Sequence, residues 1–177
     1  MKSVIMRLFT LCLFIVSTLT YACGDTSNAI VQGPFKDSSF ENGLICFQNS
    51  SDQRDVDFFQ SYSTSQGEVN KKIDTFDYAD APAELMTVFY APIGGRKNVV
   101  VLLRWNVKYT SNGIRYPYHY EVKTYQSNDS SGYRLNLDSD KDPYLSGYQT
   151  INNGKITNYP LDNAQKIKRY LKVKYGI

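Results

Sequence analysis

His119 is the only histidine in the chain, so any site that needs an imidazole must be built on it. A single histidine excludes His-rich zinc centres and the HExxH metalloprotease pattern. A Ser-His-Asp hydrolase would have to use His119, yet the sequence has no Gly-x-Ser-x-Gly elbow. A Cys46–His119 dyad requires a reduced Cys46, which export disfavours. The expectation for His119 is a half-exposed strand residue beside Asn106. Glu41, Glu68, Glu84 and Glu121 are the only glutamates available to a glycosidase-like carboxylate pair. Glu121 is expected to be engaged structurally by Arg104. Asp138, Asp140 and Asp142 alternate like the start of a calcium loop. Pro143 then stands where such a loop needs Gly, and Gln149 where it needs a bidentate Glu. An acidic turn is expected there, with weak calcium binding as the alternative. Tyr116, Tyr118 and Tyr120 alternate and should share one strand face with Trp105 and Val107. They read as core first, and as a stacking platform second. No metal or cofactor is expected.

The compartment decides how the cysteines are read. Lys2 and Arg7 precede an apolar run over 8–19, and Thr20 and Ala22 are small residues at the positions a signal peptidase recognises. A leader over 1–22, removed after Ala22, is expected. The run is too short for a comfortable membrane span, and no second long apolar run follows. Loss of Lys2 and Arg7 leaves 18 of the 20 basic residues against 17 acidic ones, so the formal charge falls from +3 to +1. Such a balance gives no support to nucleic-acid binding. Cys12 leaves with the leader, while Cys23 and Cys46 remain. An exported pair reads as a disulfide. The sequence Leu19-Thr20-Tyr21-Ala22-Cys23 keeps a lipid anchor on Cys23 open as the other reading.

The remaining residues, 23–177, are expected to form one β-rich domain. Strands are expected over 44–48, 56–62 and 73–78, with a loop over 63–67 and a turn-rich stretch over 23–40. β-branched and aromatic runs at 85–91, 98–109 and 115–125 are separated by Gly94-Gly95 and Asn112-Gly113, both suited to primed hairpin turns. They predict a three-stranded antiparallel meander. With Asn112-Gly113 central, the facing pairs are Tyr109–Tyr116, Val107–Tyr118, Trp105–Tyr120 and Leu103–Val122. On the other face they are Arg104–Glu121, Asn106–His119 and Leu102–Lys123. Across the first turn, Val88 should face Val101 and Met86 should face Leu103. A last strand is expected over 156–159. A helix capped by Asp162 should follow, with Ala164, Ile167, Tyr170 and Leu171 as the stripe that covers a sheet face. The fold class is thus mainly β (α+β), an antiparallel meander sheet with a C-terminal amphipathic helix packed on it.

Two segments carry a resemblance. One is Asn98-Val-Val-Val-Leu-Leu-Arg-Trp-Asn-Val107 with residues 116–125. The other is Leu145-Ser-Gly-Tyr148, then Asn153-Gly154-Lys155 and the helix over 164–171. Together they resemble small exported proteins of Gram-negative bacteria, some of which look like periplasmic immunity proteins of type VI secretion effectors. The resemblance covers the second half of the chain and implies a protein that blocks an enzyme, with no defined binding residues.

The expected function is therefore a non-enzymatic periplasmic protein that binds and inhibits a secreted antibacterial effector enzyme. A glycan- or peptidoglycan-binding envelope module is the alternative, and a carboxylate hydrolase a third class. Partner contacts are expected at loop residues near the sheet ends, namely Tyr133, Tyr144 and Tyr148, with Asp138, Asp140 and Asp142 meeting a basic active-site rim. Intact-mass measurement should find a chain beginning at Cys23 and lighter than its reduced form by one pair of hydrogens. A lipid-sized increase on Cys23 would establish the anchor instead.

Overall fold

A computed structural model describes residues 22–128 and 131–176. Apart from Ala22, the expected leader lies outside the described residues. The fold is mainly β and antiparallel. Strands β1 (Ile30–Asp37), β2 (Gly43–Asn49), β3 (Val56–Thr64) and β4 (Gly67–Phe76) follow one another as a four-stranded meander. The second sheet contains β5 (Glu84–Ile93), β6 (Arg96–Ser111), β7 (Ile114–Asn128), β8 (Gly132–Leu135), β9 (Ser146–Asn152) and β10 (Lys155–Thr157). Its order is β10-β9-β7-β6-β5, with β8 also paired to β7. A short helix α1 (Leu137–Asp140) and a 3-10 turn (Pro143–Leu145) join β8 to β9, and helix α2 (Ala164–Tyr175) closes the domain. No helix among the described residues is long and apolar enough to cross a membrane.

Strand β6 lies at the centre of the packing. Val99, Val101, Leu103 and Trp105 meet Ile45, Phe47, Phe58 and Phe76 of the first sheet in one core. Val100 and Leu102 point the other way, into a second core with Tyr120, Val122, Ile167 and Leu171 under α2. An unbroken apolar run over 99–103 is what a strand covered on both faces requires.

This double cover corrects the expected register. Near the turn, Ser111 pairs with Ile114 and Tyr109 with Tyr116, as expected. Asn112 and Gly113 have φ of 51° and 74°, the positive values a primed turn needs. A bulge between Asn106 and Tyr109, with Lys108 at φ 46°, then adds one residue to β6. Beyond it Asn106 pairs with Tyr118, Trp105 with His119, Arg104 with Tyr120, Leu103 with Glu121, Leu102 with Val122 and Val101 with Lys123. The expected Arg104–Glu121 pair is not formed. Arg104 instead binds Glu84 on β5 and lies over the Tyr118 ring at 4.5 Å. A shift of one residue moves a strand's whole side-chain set across the sheet, so Tyr118 and Tyr120 join the helix side, away from Trp105. Similarly, Val88 faces Val101, but a bulge at Met86 leaves Leu85 opposite Leu103.

Other boundaries differ from expectation. The turn-rich stretch contains β1, β4 begins at Gly67, and β8 and β9 were not expected. The last strand ends at Thr157, leaving Tyr159 to pack beneath the sheet. Asn163, not Asp162, caps α2 by accepting the Lys166 N–H at 3.1 Å. Asp162 instead pairs with the Lys166 ammonium at 2.8 Å.

The start of the domain is held against the first sheet. Cys23 and Cys46 form a disulfide, so Cys23 has no thiol left for a lipid thioether. The pairing suits an oxidising, extracytoplasmic compartment. Gln48 accepts the Asp25 N–H at 2.7 Å and donates to the Cys23 and Asp25 carbonyls, while Asn70 grips Gly24 from β4.

Trp105 is 6% exposed, and its indole N–H donates to the Asp77 carbonyl at 3.0 Å. Trp105→Ala should cost about 3–5 kcal/mol, read from the shift in denaturant midpoint. An unchanged midpoint would show that the two sheets do not close over this ring.

Candidate functional site

The residues singled out in the sequence divide into two groups. Tyr133 is not a loop residue: it lies on β8, is 2% exposed and packs in the inter-sheet core. Burial and neighbouring Asp37 push its phenol well above the ordinary tyrosine value. Asp142 is 8% exposed and is likewise unavailable to a partner. Its Oδ1 accepts the Tyr144 N–H at 3.0 Å, and its Oδ2 accepts the Tyr170 and Tyr175 hydroxyls at 2.6 and 2.8 Å. One carboxylate thus caps the 3-10 turn and fastens α2 to it. Burial works against the charge, but hydrogen bonds from Tyr170, the Tyr144 N–H and Tyr175, with Lys174 nearby, hold the carboxyl below its usual 3.8.

Asp138 and Asp140 are exposed on α1, and Asp140 lies 3.9 Å from the Lys123 ammonium. The alternating aspartates therefore serve separate tasks and do not converge. Among the described residues, no group of three or more His, Cys, Asp or Glu side chains is placed to hold a metal ion.

Tyr144 and Tyr148 are on the surface, 68% and 47% exposed. They border a groove of about 270 Å³ completed by Pro143, Tyr159, Leu161 and Tyr170. Gly147 gives the groove its floor, because a Cβ there would lie 2.8 Å from the Tyr159 ring. Tyr159 donates to the Tyr144 carbonyl at 2.8 Å, and burial raises its phenol above the ordinary value. The aromatic surface continues past the groove: Tyr148 packs edge-on to Tyr116 at 5.5 Å, and Tyr116 lies 5.5 Å from Tyr109.

A polar groove of about 170 Å³ adjoins it, lined by Glu121, Lys123, Ser139, Asp140 and Ser146. The Lys123 ammonium is 3.7 Å from Glu121. His119 stands beside this groove, between the Trp105 and Tyr148 rings at 5.8 and 4.6 Å. It faces Trp105 across the strands, not Asn106. Its Nε2 is 3.0 Å from Ser146 Oγ and its Nδ1 is 3.9 Å from Glu121. Burial lowers the imidazole below 6.5, and Glu121 opposes that only in part. The Cys46–His119 dyad is excluded by the disulfide. Period-two alternation already places His119 and Glu121 on one face, but Ser146 joins them only through β9, which the sequence did not reveal.

No protein-family model, curated protein or solved structure matches this chain.

The Asp142 clasp has a pH signature. Its folded pKa is depressed, so its contribution is full above the unfolded value near 3.8 and is lost as pH falls through the folded value. Asp142→Asn should cost about 1–3 kcal/mol at neutral pH by leaving the part-buried Tyr170 and Tyr175 hydroxyls poorly matched. Urea unfolding of both proteins should show that difference shrinking as the pH is taken below 3.8. A difference independent of pH would show that the carboxylate charge does not hold the clasp.

Proposed function

We propose that this chain is an extracytoplasmic binding protein that occludes a protein partner, a secreted antibacterial effector enzyme, as the resemblance to periplasmic immunity proteins implies. The observation that carries the reading is the exposed pair Tyr144 and Tyr148 at the mouth of an apolar groove. Large aromatic rings left in water beside an apolar cleft are the usual anchors of a tight interface. Tyrosine serves well there because it adds contact area while freezing few torsions. The groove rests on a framework fixed by Asp142 and Tyr159, so little ordering remains to be done on binding.

Electrostatics adds direction. Asp140 lines the adjoining polar groove and Asp138 is exposed on the same short helix, and both suit a partner whose active-site rim is basic. Asp142 and Tyr133 have structural duties and take no part in the contact. The disulfide supports residence in an oxidising compartment, where such an effector would be met.

The test is co-expression, in the periplasm, with the toxin-like product of an adjacent gene. The protein should restore growth and co-purify with the effector at fixed stoichiometry. Tyr144→Ala and Tyr148→Ala should each weaken the complex by about 2 kcal/mol or more without lowering the melting temperature. Equal killing with and without the exported protein would overturn the reading and favour glycan binding by the same rings.

A further inference from the structure

His119, Glu121 and Ser146 meet on one face of the second sheet. Glu121 and Ser146 are cross-strand neighbours on β7 and β9, and His119 lies two residues before Glu121 on the same face. The Ser146 hydroxyl is 3.0 Å from Nε2, and the Glu121 carboxylate is 3.9 Å from Nδ1. At 3.9 Å the Glu121 carboxylate makes no direct hydrogen bond, but its negative charge favours the tautomer protonated at Nδ1, in which Nε2 accepts the serine proton. The flanking Trp105 and Tyr148 rings fix the imidazole plane. Burial keeps the ring neutral near neutral pH, the state a general base needs. Ser146 itself is exposed and lines both grooves, so a ligand held by the tyrosines reaches its hydroxyl.

We propose that Ser146 is a nucleophile activated by His119, with Glu121 as its positioning residue, and that it takes the acyl group of an ester whose apolar part lies between Tyr144, Tyr148 and Tyr159. In the first step Ser146 Oγ bonds to the carbonyl carbon while its proton passes to Nε2. The ester C–O bond then breaks, and the same proton leaves with the alcohol. Water attacks the acyl-serine, gives a proton to Nε2, and releases the acid as that proton returns to Ser146 Oγ. This activity goes beyond the binding role and does not depend on it. It would give chemistry to a chain expected to be non-enzymatic, on a strand junction that has no nucleophile elbow.

The test uses the full mature chain and a fluorophosphonate probe, which forms a P–O bond to an activated serine and releases fluoride. Intact mass should show one adduct, and peptide mapping should place it on Ser146. Labelling should vanish in Ser146→Ala, slow by ~10²-fold or more in His119→Gln, and slow in Glu121→Gln with partial recovery in Glu121→Asp. The heat-unfolded chain should not label. Ser146 and Glu121 lie outside the hydrophobic cores, so their variants carry the test if His119→Gln does not fold. An unlabelled folded wild type, equal labelling of Ser146→Ala, or labelling of the unfolded chain would overturn the inference. Effector neutralisation by Ser146→Ala reports on the binding role separately.

Discussion

Strand β6 must be covered twice. Its residues 99–103 are apolar without interruption, and a strand exposes successive side chains on opposite faces, so neither face can be left in water. The four-stranded meander covers one face and α2 the other. The bulge at Lys108 follows from the same constraint, because it sets which residues of β7 accompany each face of β6. Without it, Trp105 would share a face with Tyr120. The aromatic residues of the hairpin would then crowd one core and leave the helix little to cover. Burying an apolar side chain of this size stabilises by roughly 1.5–3 kcal/mol, which outweighs the small local cost of one left-handed residue.

The polar chemistry of the molecule sits where that double cover runs out. On the inter-sheet face, β7 contributes Tyr125 to the core, then Lys123, Glu121 and His119 in turn as the first sheet recedes. These groups remain near solvent, so their charges are tolerated without the full penalty of burial. Fully enclosed carboxylates are treated differently. Asp37 lies beside the Lys97 ammonium at 2.6 Å, and Asp142 receives two phenols and a backbone N–H. Asp37 and Asp142 each therefore join two parts of the chain that have no strand pairing between them, whereas the buried Asp57 ties β3 to its neighbour β4 through Lys72 and Thr75.

Much of the fold was legible from local signals. Asn112-Gly113 and Gly94-Gly95 announce their turns, and the runs around them announce β5, β6 and β7, because turn chemistry and β-branching act over a few residues. The helix was legible from the spacing of Ile167, Tyr170 and Leu171. What stayed hidden is tertiary in origin. The apolar run over 99–103 calls for cover on both faces, but nothing local says which residues of β7 accompany each face, and the bulge at Lys108 decides that. β8 and β9 are short and mixed in character, and they become strands because β7 offers them an edge. The candidate site inherits that blindness. Tyr133, Tyr144 and Tyr148 all read as loop tyrosines, yet only Tyr144 lies outside a strand: Tyr148 is exposed on β9 and Tyr133 is buried on β8. The approach of Ser146 to His119 depends entirely on the β7–β9 pairing.

Both β8 and β9 pair with the same edge of β7, at residues 125–128 and 115–121 respectively. The chain between them leaves that edge and returns to it. Its path is pinned midway by Thr124 and Ser139 and at its start by Asn136 on Asn98. An excursion bounded in this way is insulated from the register of the sheet. Substitutions at its outward positions, Asp138, Asp140, Lys141 and Tyr144, leave every strand pair and both cores in place. The segment is built as a cassette: its exposed letters can be rewritten while the folded frame beneath it stays the same.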